Sequence, residues 1–300
     1  MRDTVGMIGL GTMGSAMAAN LVKAGFRVVG YDIASKARAA HRRAGGVVAR
    51  SGRDVARRAP IVVTSLPSAA AMATVAGEIA AARRRDLVVV ETSTLPLDVK
   101  HAAREELARA RATLLDCPLS GTGAQARAKD LLVYASGPRA AYARCKPVFD
   151  GFARGHHYLG RFGNGSKMKY VANLLVAIHN VAAAEAMVLA RKCGLDPALT
   201  LRVVADGAGN SRMLQVRGPM MVKDDYSDAT MKLDLWQKDM TIIGEFARDL
   251  GCPTPLFAAS APIYVAAIAE GYAREDTGAV AAVLGGMAGL PRRRRRRRRR

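Results

Sequence analysis

The hydrophobic and polar positions follow one pattern up to about residue 160 and another beyond it. In the first part, short β-branched runs alternate with alanine- and arginine-rich stretches of helical period. The runs predict strands at 5–10, 26–32, 47–49, 61–65, 87–92, 113–116 and 131–136. Strands that alternate with helices are typical of βαβ units, so we predict a mainly parallel, doubly wound sheet.

Beyond Gly163 the strand pattern ends, and helical periodicity continues to about residue 290. Residues 166–193 predict one long helix with Gly194 at its C-terminal end. Further helices are predicted at 197–205, 211–221, 233–250, 256–270 and 276–284. We therefore predict an α/β chain with an N-terminal Rossmann-type doubly wound sheet at 1–163. An all-α domain follows at 164–291 and begins with a long interdomain helix.

Composition adds an unusual charge to this picture. The 300 residues are 50% hydrophobic and 24% charged, which is ordinary for a globular chain and sufficient for two domains. The formal net charge is +21, and the arginines at 292–300 carry nine of these charges. Adjacent like charges repel and bury nothing, so this segment is predicted to be a disordered tail. The remaining arginines lack interleaved aromatic residues, which argues against a specific nucleic-acid site.

Cysteine and histidine usage indicates a cytoplasmic protein without a metal. The four cysteines are scattered and form no C-x-x-C pair, which is typical of reduced thiols. The five histidines form no metal-binding pattern, and His156 and His157 are interpreted as a loop pair. The first apolar run is a glycine-punctuated strand rather than a signal peptide. The longest apolar segment, 171–190, predicts a buried helix rather than a membrane span because it contains Asn173, His179, Asn180 and Glu185.

A glycine-rich turn lies between the first predicted strand and the first helix. Its G-x-G-x-x-G spacing places Gly9 in the turn, Gly11 where backbone approaches a pyrophosphate, and Gly14 where the helix packs on the strand. An ordinary βα turn also contains glycines, but here the strand and helix context is the required one. We therefore predict a dinucleotide site lined by Gly9, Leu10, Gly11, Thr12, Met13 and Gly14.

The choice of cofactor is predicted from Asp32, at the end of the second strand. A carboxylate there accepts hydrogen bonds from both ribose hydroxyls and repels a 2′-phosphate. We therefore predict NAD, with NADP less favoured. Lys36 and Arg38 lie just downstream and soften that preference.

Lys169 and Asn173 are four residues apart and share one face of the predicted long helix. An ammonium can supply or accept the proton of a substrate hydroxyl, and an amide can hold the oxygen. A lysine has an ordinary pKa of about 10.4, so service as a base requires burial or a neighbouring cation. Spacing alone favours the interpretation of Lys169 as a solvated surface lysine, and Lys167 is an equally suitable candidate.

Five motifs in order resemble the β-hydroxyacid dehydrogenase family, which includes 3-hydroxyisobutyrate dehydrogenases and tartronate semialdehyde reductases. The resemblance covers about residues 4–290. The motifs are GLGTMGSAMAANL at 9–21, Ser93-Thr94, DCPLSG at 116–121, GNGSKMKYVAN at 163–173 and Lys238-Asp239. The resemblance implies NAD-dependent interconversion of a small 3-hydroxy carboxylate and its semialdehyde or keto acid. The apolar all-α domain with its long first helix predicts a homodimer or homotetramer.

The same resemblance implies roles for individual residues. Lys169 matches the catalytic lysine, in preference to Lys167, and Asn173 matches the residue that orients the substrate. The loop that holds the substrate carboxylate corresponds to Ser120, Gly121 and Thr122. Positions that line the cofactor correspond to Leu66, Pro67, Thr94 and Lys238.

One departure from the family pattern bears on the substrate. The family usually has S-G-G in the carboxylate loop, whereas here Thr122 adds a side chain, and Gln125 or Arg127 can add donors. Two other functions are compatible with parts of the sequence: an imine reductase-like NAD(P)H enzyme, which Lys169 disfavours, and a non-catalytic dinucleotide-sensing protein. A Y-x-x-x-K motif at 142–146 is interpreted as one face of a helix rather than a short-chain dehydrogenase site.

Overall fold

The computed structural model describes residues 2–291, so the tail predicted at 292–300 lies outside the described residues. The chain divides into two compact units, Met1–Lys169 and Tyr170–Arg300. Each unit is described by itself below. The domain boundary predicted at 163–164 remains a prediction.

The first unit is built on a parallel sheet, as the alternating pattern predicts. Among the described residues its strand order is β3-β2-β1-β4-β5-β6, which is the doubly wound order. The strands are β1 (Arg2–Ile8), β2 (Phe26–Tyr31), β3 (Val47–Val48), β4 (Ile61–Thr64), β5 (Val88–Glu91) and β6 (Thr113–Asp116). The connecting helices are α1 (Thr12–Lys23), α2 (Ser35–Arg43), α3 (Gly52–Arg58), α4 (Ala69–Ala80) and α5 (Leu97–Arg109). The predicted fold class is confirmed.

Alternate residues of the central strands face two hydrophobic layers. Val63, Val90 and Leu115 are buried on one side of the sheet. Their neighbours Val62, Val89 and Leu114 are buried on the other, in a separate cluster. Because both faces are covered, the strands are continuous apolar runs rather than alternating ones.

A second, smaller sheet completes the first unit. It contains β7 (Leu119–Ser120), β8 (Leu132–Ala135) and β9 (Gly155–Tyr158), with β8 antiparallel to β7 and parallel to β9. The helices α6 (Gly123–Arg127) and α7 (Arg139–Phe152) connect these strands. The interpretation of His156 and His157 as a loop pair was wrong, because both lie in β9. The polar sequence GHHY lacks the apolar pattern of a strand, and its hydrogen-bonding partner β8 lies about 20 residues earlier in the chain.

The second unit is helical. A long helix, α8 (Asn164–Lys192), crosses the division between the units, and Gly194 follows it with φ of 83°. The later helices are α9 (Pro197–Asp206), α10 (Arg212–Lys223), α11 (Leu233–Asp249), α12 (Pro255–Ala267) and α13 (Val280–Met287). A π-helical turn follows α12 at Ile268–Tyr272, and a 3₁₀ turn lies at Thr277–Ala279.

Helix α8 is long and apolar enough to cross a membrane by composition alone. Its most apolar 18-residue window is already 44% buried within the protein. Core helices of globular proteins pass the same test, so this helix is weak evidence for a membrane span.

The cysteines are free and differ sharply between the units. Cys117 and Cys145 are buried in the first unit, whereas Cys193 and Cys252 are exposed in the second. Burial raises the pKa of Cys145 to about 12 and also raises the pKa of Cys117. Within residues 2–291, no group of three or more His, Cys, Asp or Glu side chains is arranged to hold a metal ion.

Candidate active site

The glycine turn after β1 has the geometry of a phosphate cradle. Gly9 has φ of 88°, and a Cβ there would collide with the carbonyl oxygen of Ser65. A Cβ on Gly14 would collide with the carbonyl oxygen of Gly9, so α1 packs closely on the turn. A Cβ on Gly11 would instead meet open space, with no atom within 4 Å. Among the described residues no side chain caps the start of α1, so its N–H groups fit a pyrophosphate placed in this space.

Asp32 directly follows β2 and is fixed by the neighbouring backbone. Its Oδ2 accepts a hydrogen bond from the N–H of Leu10 at 2.7 Å, and its Oδ1 accepts one from the N–H of Ala34 at 2.8 Å. The carboxylate is thereby held beside the glycine turn, where a ribose would lie. The Arg38 guanidinium donates to the carbonyl oxygens of Asp32 and Ile33, at 2.6 Å and 2.9 Å. This basic residue therefore lies at the same loop as the acidic one.

The predicted cofactor-lining positions after β4 and β5 are adjacent in space. The N–H of Leu66 donates to Oγ of Ser93 at 2.8 Å, which joins the loops that follow the two strands. Leu66 and Thr94 are partly buried and Pro67 is exposed. Because β1 and β4 are neighbours at the point where the strand order reverses, these loops lie along the crevice used by ligands of such sheets.

The predicted carboxylate loop contains a feature that the sequence did not reveal. Ser120 ends β7, and Gly121 has φ of 131°. Thr122 forms the N-terminal cap of α6, and its own N–H donates to Oε1 of Gln125 at 2.9 Å. Nε2 of Gln125 lies 3.4 Å from Oδ2 of Asp130. The Gln125 side chain therefore has partners within this loop, through Oε1 in capping α6 and through Nε2 at Asp130.

This loop packs against the helix of the glycine turn. A Cβ on Gly123 would lie 2.6 Å from Cγ2 of Thr12, so the two segments are in close contact. Nδ2 of the buried Asn20 donates to the carbonyl oxygen of Ala126 at 2.7 Å. The structure thus brings the predicted cofactor turn and the predicted carboxylate loop together within the first unit.

The two candidate lysines on α8 differ in exposure. Lys169 is partly buried, whereas Lys167 is exposed. Both follow Gly163, whose φ of 92° precedes the first turn of the helix. Lys169 is therefore the less solvated of the two side chains.

Asn173 lies one helical turn after Lys169 and is held by an acid. It is 4% exposed, and its Nδ2 donates to Oδ2 of Asp239 at 2.9 Å. Oδ1 of Asp239 lies 3.2 Å from Nζ of Lys238. Asp239 appeared in the sequence only as part of a matched dipeptide, and the structure adds it as the residue that joins Asn173 to Lys238.

These groups match a dinucleotide-dependent dehydrogenase, and comparisons with known proteins give its family. The profile described as the NAD-binding domain of 6-phosphogluconate dehydrogenase matches residues 4–160. The profile described as NAD-binding of NADP-dependent 3-hydroxyisobutyrate dehydrogenase matches residues 163–284. The chain is 33% identical to the L-threonate dehydrogenase of Cupriavidus necator over 291 residues, which cover 96% of this chain and 98% of that protein.

Two solved structures are also similar. The 3-hydroxyisobutyrate dehydrogenase of Salmonella typhimurium is 31% identical with a TM-score of 0.84, covering 94% of this chain and 100% of that chain. The Mycobacterium tuberculosis 3-hydroxyisobutyrate dehydrogenase, solved with L-serine, is 28% identical with a TM-score of 0.86, covering 95% and 99%. The chain belongs to the β-hydroxyacid dehydrogenase family. It is an oxidoreductase that uses a nicotinamide dinucleotide and acts on the hydroxyl group of a hydroxyacid.

Proposed function

We propose that this enzyme reversibly oxidises a small 3-hydroxy carboxylate to its semialdehyde or keto acid, with Lys169 as general acid and base. The observation that carries the proposal is the partly buried Lys169, one helical turn before an asparagine whose amide is fixed by Asp239. Such a pair can handle the proton and the oxygen of one hydroxyl group. Relatives across almost the full length of the chain support the same chemistry.

Each group has a distinct task in the proposed mechanism. When bound, the nicotinamide would accept a hydride from the substrate in oxidation and donate one in reduction. Lys169, as the neutral amine, accepts the hydroxyl proton in oxidation, and as the ammonium it returns that proton in reduction. Asn173 holds the hydroxyl oxygen, with its amide oriented by Asp239. Ser120 and Gly121 hold the substrate carboxylate, where their donors form charge-assisted hydrogen bonds.

The substrate class follows from what the relatives share. L-threonate, 3-hydroxyisobutyrate and L-serine, named with the relatives above, are all carboxylates with a hydroxyl on carbon 3. We propose L-threonate as the first candidate, because the relative that carries this name is 33% identical over 96% of the chain.

NAD is the proposed preferred cofactor. Asp32 presents a carboxylate held by the N–H groups of Leu10 and Ala34, in the place where a 2′-phosphate would lie. The Arg38 guanidinium already donates to two loop carbonyl oxygens, so it is less available to bind the 2′-phosphate of NADP.

The domain roles and the assembly are also proposals. We propose that residues 1–163 bind the dinucleotide and that 164–291 bind substrate and form a homodimer or homotetramer. Large apolar side chains exposed on helices of the second unit support the assembly: Leu189, Val203, Leu235, Leu256, Val265 and Met287. We further propose a cytoplasmic location. Light scattering of the purified protein tests the assembly, and a monomer at micromolar concentration would contradict it.

The decisive experiment is a matrix of initial rates with NAD⁺ and NADP⁺. The acids are L-threonate, D-glycerate, 3-hydroxyisobutyrate, 3-hydroxypropionate and L-serine, with protein lacking residues 292–300 as the control for the tail. We expect turnover of at least one acid, with higher kcat/KM for NAD⁺. Saturable dinucleotide binding without turnover of any acid would favour the dinucleotide-sensing alternative.

A further inference from the structure

Three charged side chains are buried together at the carboxyl ends of β5 and β6. Nζ of Lys100, on α5, lies 2.7 Å from Oε2 of Glu91 and 2.7 Å from Oδ1 of Asp116. Lys100 also donates to the carbonyl oxygen of Ser93 at 2.8 Å. All three charged side chains are 0% exposed. We call Glu91, Lys100 and Asp116 the buried triad; the mechanism proposed above does not use them.

The triad needs more than its own charges to be stable. Burial lowers the pKa of Lys100, but Asp116 and Glu91 outweigh this effect and raise the pKa above its ordinary value, so Lys100 is an ammonium. Two carboxylates and one ammonium leave a net negative charge, and an uncompensated buried charge is strongly destabilising. Glu91 gains an additional donor in the N–H of Ser93, 2.8 Å from Oε1. Asp116 must find its additional donors elsewhere.

Helix α8 provides those donors. The backbone N–H of Ser166 donates to Oδ2 of Asp116 at 2.7 Å, and the Ser166 hydroxyl donates to Oδ1 at 2.7 Å. Ser166 is in the first turn of α8, where unpaired N–H groups and the helix dipole favour an anion. Asp116 therefore serves as the anion at this helix N-terminus.

The contact is too close to allow sliding. Gly165 donates its N–H to Oγ of Ser136 at 2.9 Å, and a Cβ on Gly165 would lie 2.6 Å from the carbonyl oxygen of Asp116. Oγ of Ser136 in turn lies 3.2 Å from Oδ2 of Asp116. The first turn of α8 is thus pressed against the end of β6 by backbone packing and fixed there by three donors.

Lys169 begins the next turn of the same helix. We propose that Asp116 and Ser166 are positioning residues, which fix the start of α8 and thereby the place of Lys169 relative to the cofactor site of the first unit. This inference rests on the role of Lys169 in the proposed function. A displacement of about 1 Å at a reacting group can cost about 100-fold in rate, so the contact is worth preserving for turnover as well as for stability.

The second unit contains matched controls. Asp276 is 0% exposed, pairs with Arg217 at 2.9 Å and accepts several further hydrogen bonds, as Asp116 does. Ser260 is 3% exposed and donates its hydroxyl to the carbonyl oxygen of Phe257 at 2.7 Å, whereas Ser166 is 1% exposed. The hydrogen-bond partners described above for Asp276 and Ser260 include none of the residues assigned to substrate or cofactor.

The test compares Asp116→Asn and Ser166→Ala with Asp276→Asn and Ser260→Ala in the full enzyme. Steady-state rates use the fastest acid of the panel above, dinucleotide affinity is measured by fluorescence, and thermal unfolding records stability. We expect kcat to fall at least about tenfold in Asp116→Asn and about fivefold in Ser166→Ala, with dinucleotide Kd changed less than about twofold. The deuterium isotope effect on kcat, with substrate labelled at carbon 3, should rise in both.

The control variants should lose thermal stability without loss of kcat at a temperature where they are folded. If Asp116→Asn does not fold, Ser166→Ala decides alone, because it removes only one hydroxyl. The inference is wrong if Ser166→Ala keeps wild-type kcat and isotope effect, or if Ser260→Ala loses as much kcat as Ser166→Ala.

A separate readout distinguishes failure of this inference from failure of the proposed function. Amide hydrogen exchange of residues 164–173 should quicken in Ser166→Ala, and exchange in α12 should not. If wild-type protein turns over no acid, the proposed function fails, and exchange still reports on the anchoring of the helix. If the wild-type enzyme is active and exchange at 164–173 is unchanged in Ser166→Ala, the positioning role fails alone.

Discussion

The glycine turn at residues 9–14 and the first turns of α8 both serve the proposed reaction, but the turn does so with backbone groups and the helix with side chains. The glycine turn uses backbone N–H groups and empty space, because a Cβ at Gly9 or Gly14 would collide with carbonyl oxygens. The start of α8 uses side chains: Lys169 and Asn173 carry the proposed chemistry, and Ser166 binds the buried Asp116.

Because of this difference, opposite kinds of substitution should impair the two sites. A site made of backbone is damaged by any added atom, whereas a site made of side chains is damaged by any atom removed. Adding one methyl group to the turn and truncating one side chain on the helix should therefore give separable losses. The variants below test that separation, from the largest expected effect to the smallest.

Truncation of the proposed acid–base group gives the largest effect. Lys169→Ala should lower kcat by about 100- to 10,000-fold, because general acid–base catalysis contributes that range. Dinucleotide Kd should remain within about twofold, since the glycine turn is untouched. Lys167→Ala is the matched control, as its exposed side chain lies two residues earlier on the same helix. Similar losses in the two variants would remove Lys169 from the mechanism.

Methyl additions to the glycine turn distinguish space from packing. Gly14→Ala should destabilise the first unit by about 1–3 kcal/mol, as overpacking does, and also abolish dinucleotide binding. Gly11→Ala should leave thermal stability unchanged, because its Cβ meets no protein atom within 4 Å, while dinucleotide affinity falls. Calorimetric unfolding and fluorescence titration measure the two properties. A stable Gly14→Ala variant that binds dinucleotide normally would contradict the close packing at the turn.

Asp32 is the side chain on which the backbone-built site depends for its choice of cofactor. Asp32→Asn removes the charge and should lower kcat/KM for NAD⁺ about tenfold, since hydrogen bonds to charged groups are worth about 1.5–3 kcal/mol. The ratio of kcat/KM for NADP⁺ to that for NAD⁺ should rise. Asp54→Asn is the control, because the Asp54 carboxylate also accepts a backbone hydrogen bond in the first unit, from the N–H of Arg50 at 3.0 Å. An unchanged ratio would refute the proposed NAD preference.

The carboxylate loop combines a side chain with a backbone group, because Oε1 of Gln125 accepts the hydrogen bond of the Thr122 N–H. Gln125→Ala should expose that donor to the substrate carboxylate and lower the KM for substrate about three- to tenfold. Gln125→Glu keeps the acceptor and adds a negative charge, so it should raise the KM. Equal KM values in the two variants would show that the Thr122 N–H does not face the substrate.

The smallest effect concerns a side chain that fills space left by glycines. His41 packs against Gly30 and Gly46, and burial lowers its pKa below the ordinary 6.5, against the opposing effect of the Val28 and Val47 carbonyl oxygens. The unfolded chain therefore binds more protons as the pH falls through about 6.5, and the first unit loses stability there. Thermal unfolding from about pH 8 to about pH 5 should show this loss, and His41→Gln should show a smaller slope. A steeper slope in the variant would contradict the assignment.

Local signals predicted the doubly wound sheet and the glycine turn because each strand–turn–helix unit is contiguous in the sequence. They did not predict β9, since its four residues are mostly polar and its partner β8 lies in another segment. The role of Lys100 was not predicted either. Its spacing places it on the same face of α5 as the buried Ala103 and Leu107, but its partners Glu91 and Asp116 come from two separate strands.

The site residues show the same difference between local and long-range information. Spacing predicted that Lys169 and Asn173 share a helix face, and the family resemblance supplied their proposed roles. The link from Asn173 to Asp239 spans 66 residues, and the link from Asp116 to Ser166 spans 50. Such side-chain pairings depend on how distant elements pack, so they emerge only from the folded chain.

Because the four thiols differ in burial, their reactivity can report on local opening of the folded protein. Alkylating reagents should modify Cys193 and Cys252 in the folded protein, because both are exposed. Cys117 and Cys145 are buried and have raised pKa values, so their reaction requires the first unit to open. The time course of thiol modification, resolved by peptide mass, therefore records the opening of the dinucleotide-binding unit in unaltered protein.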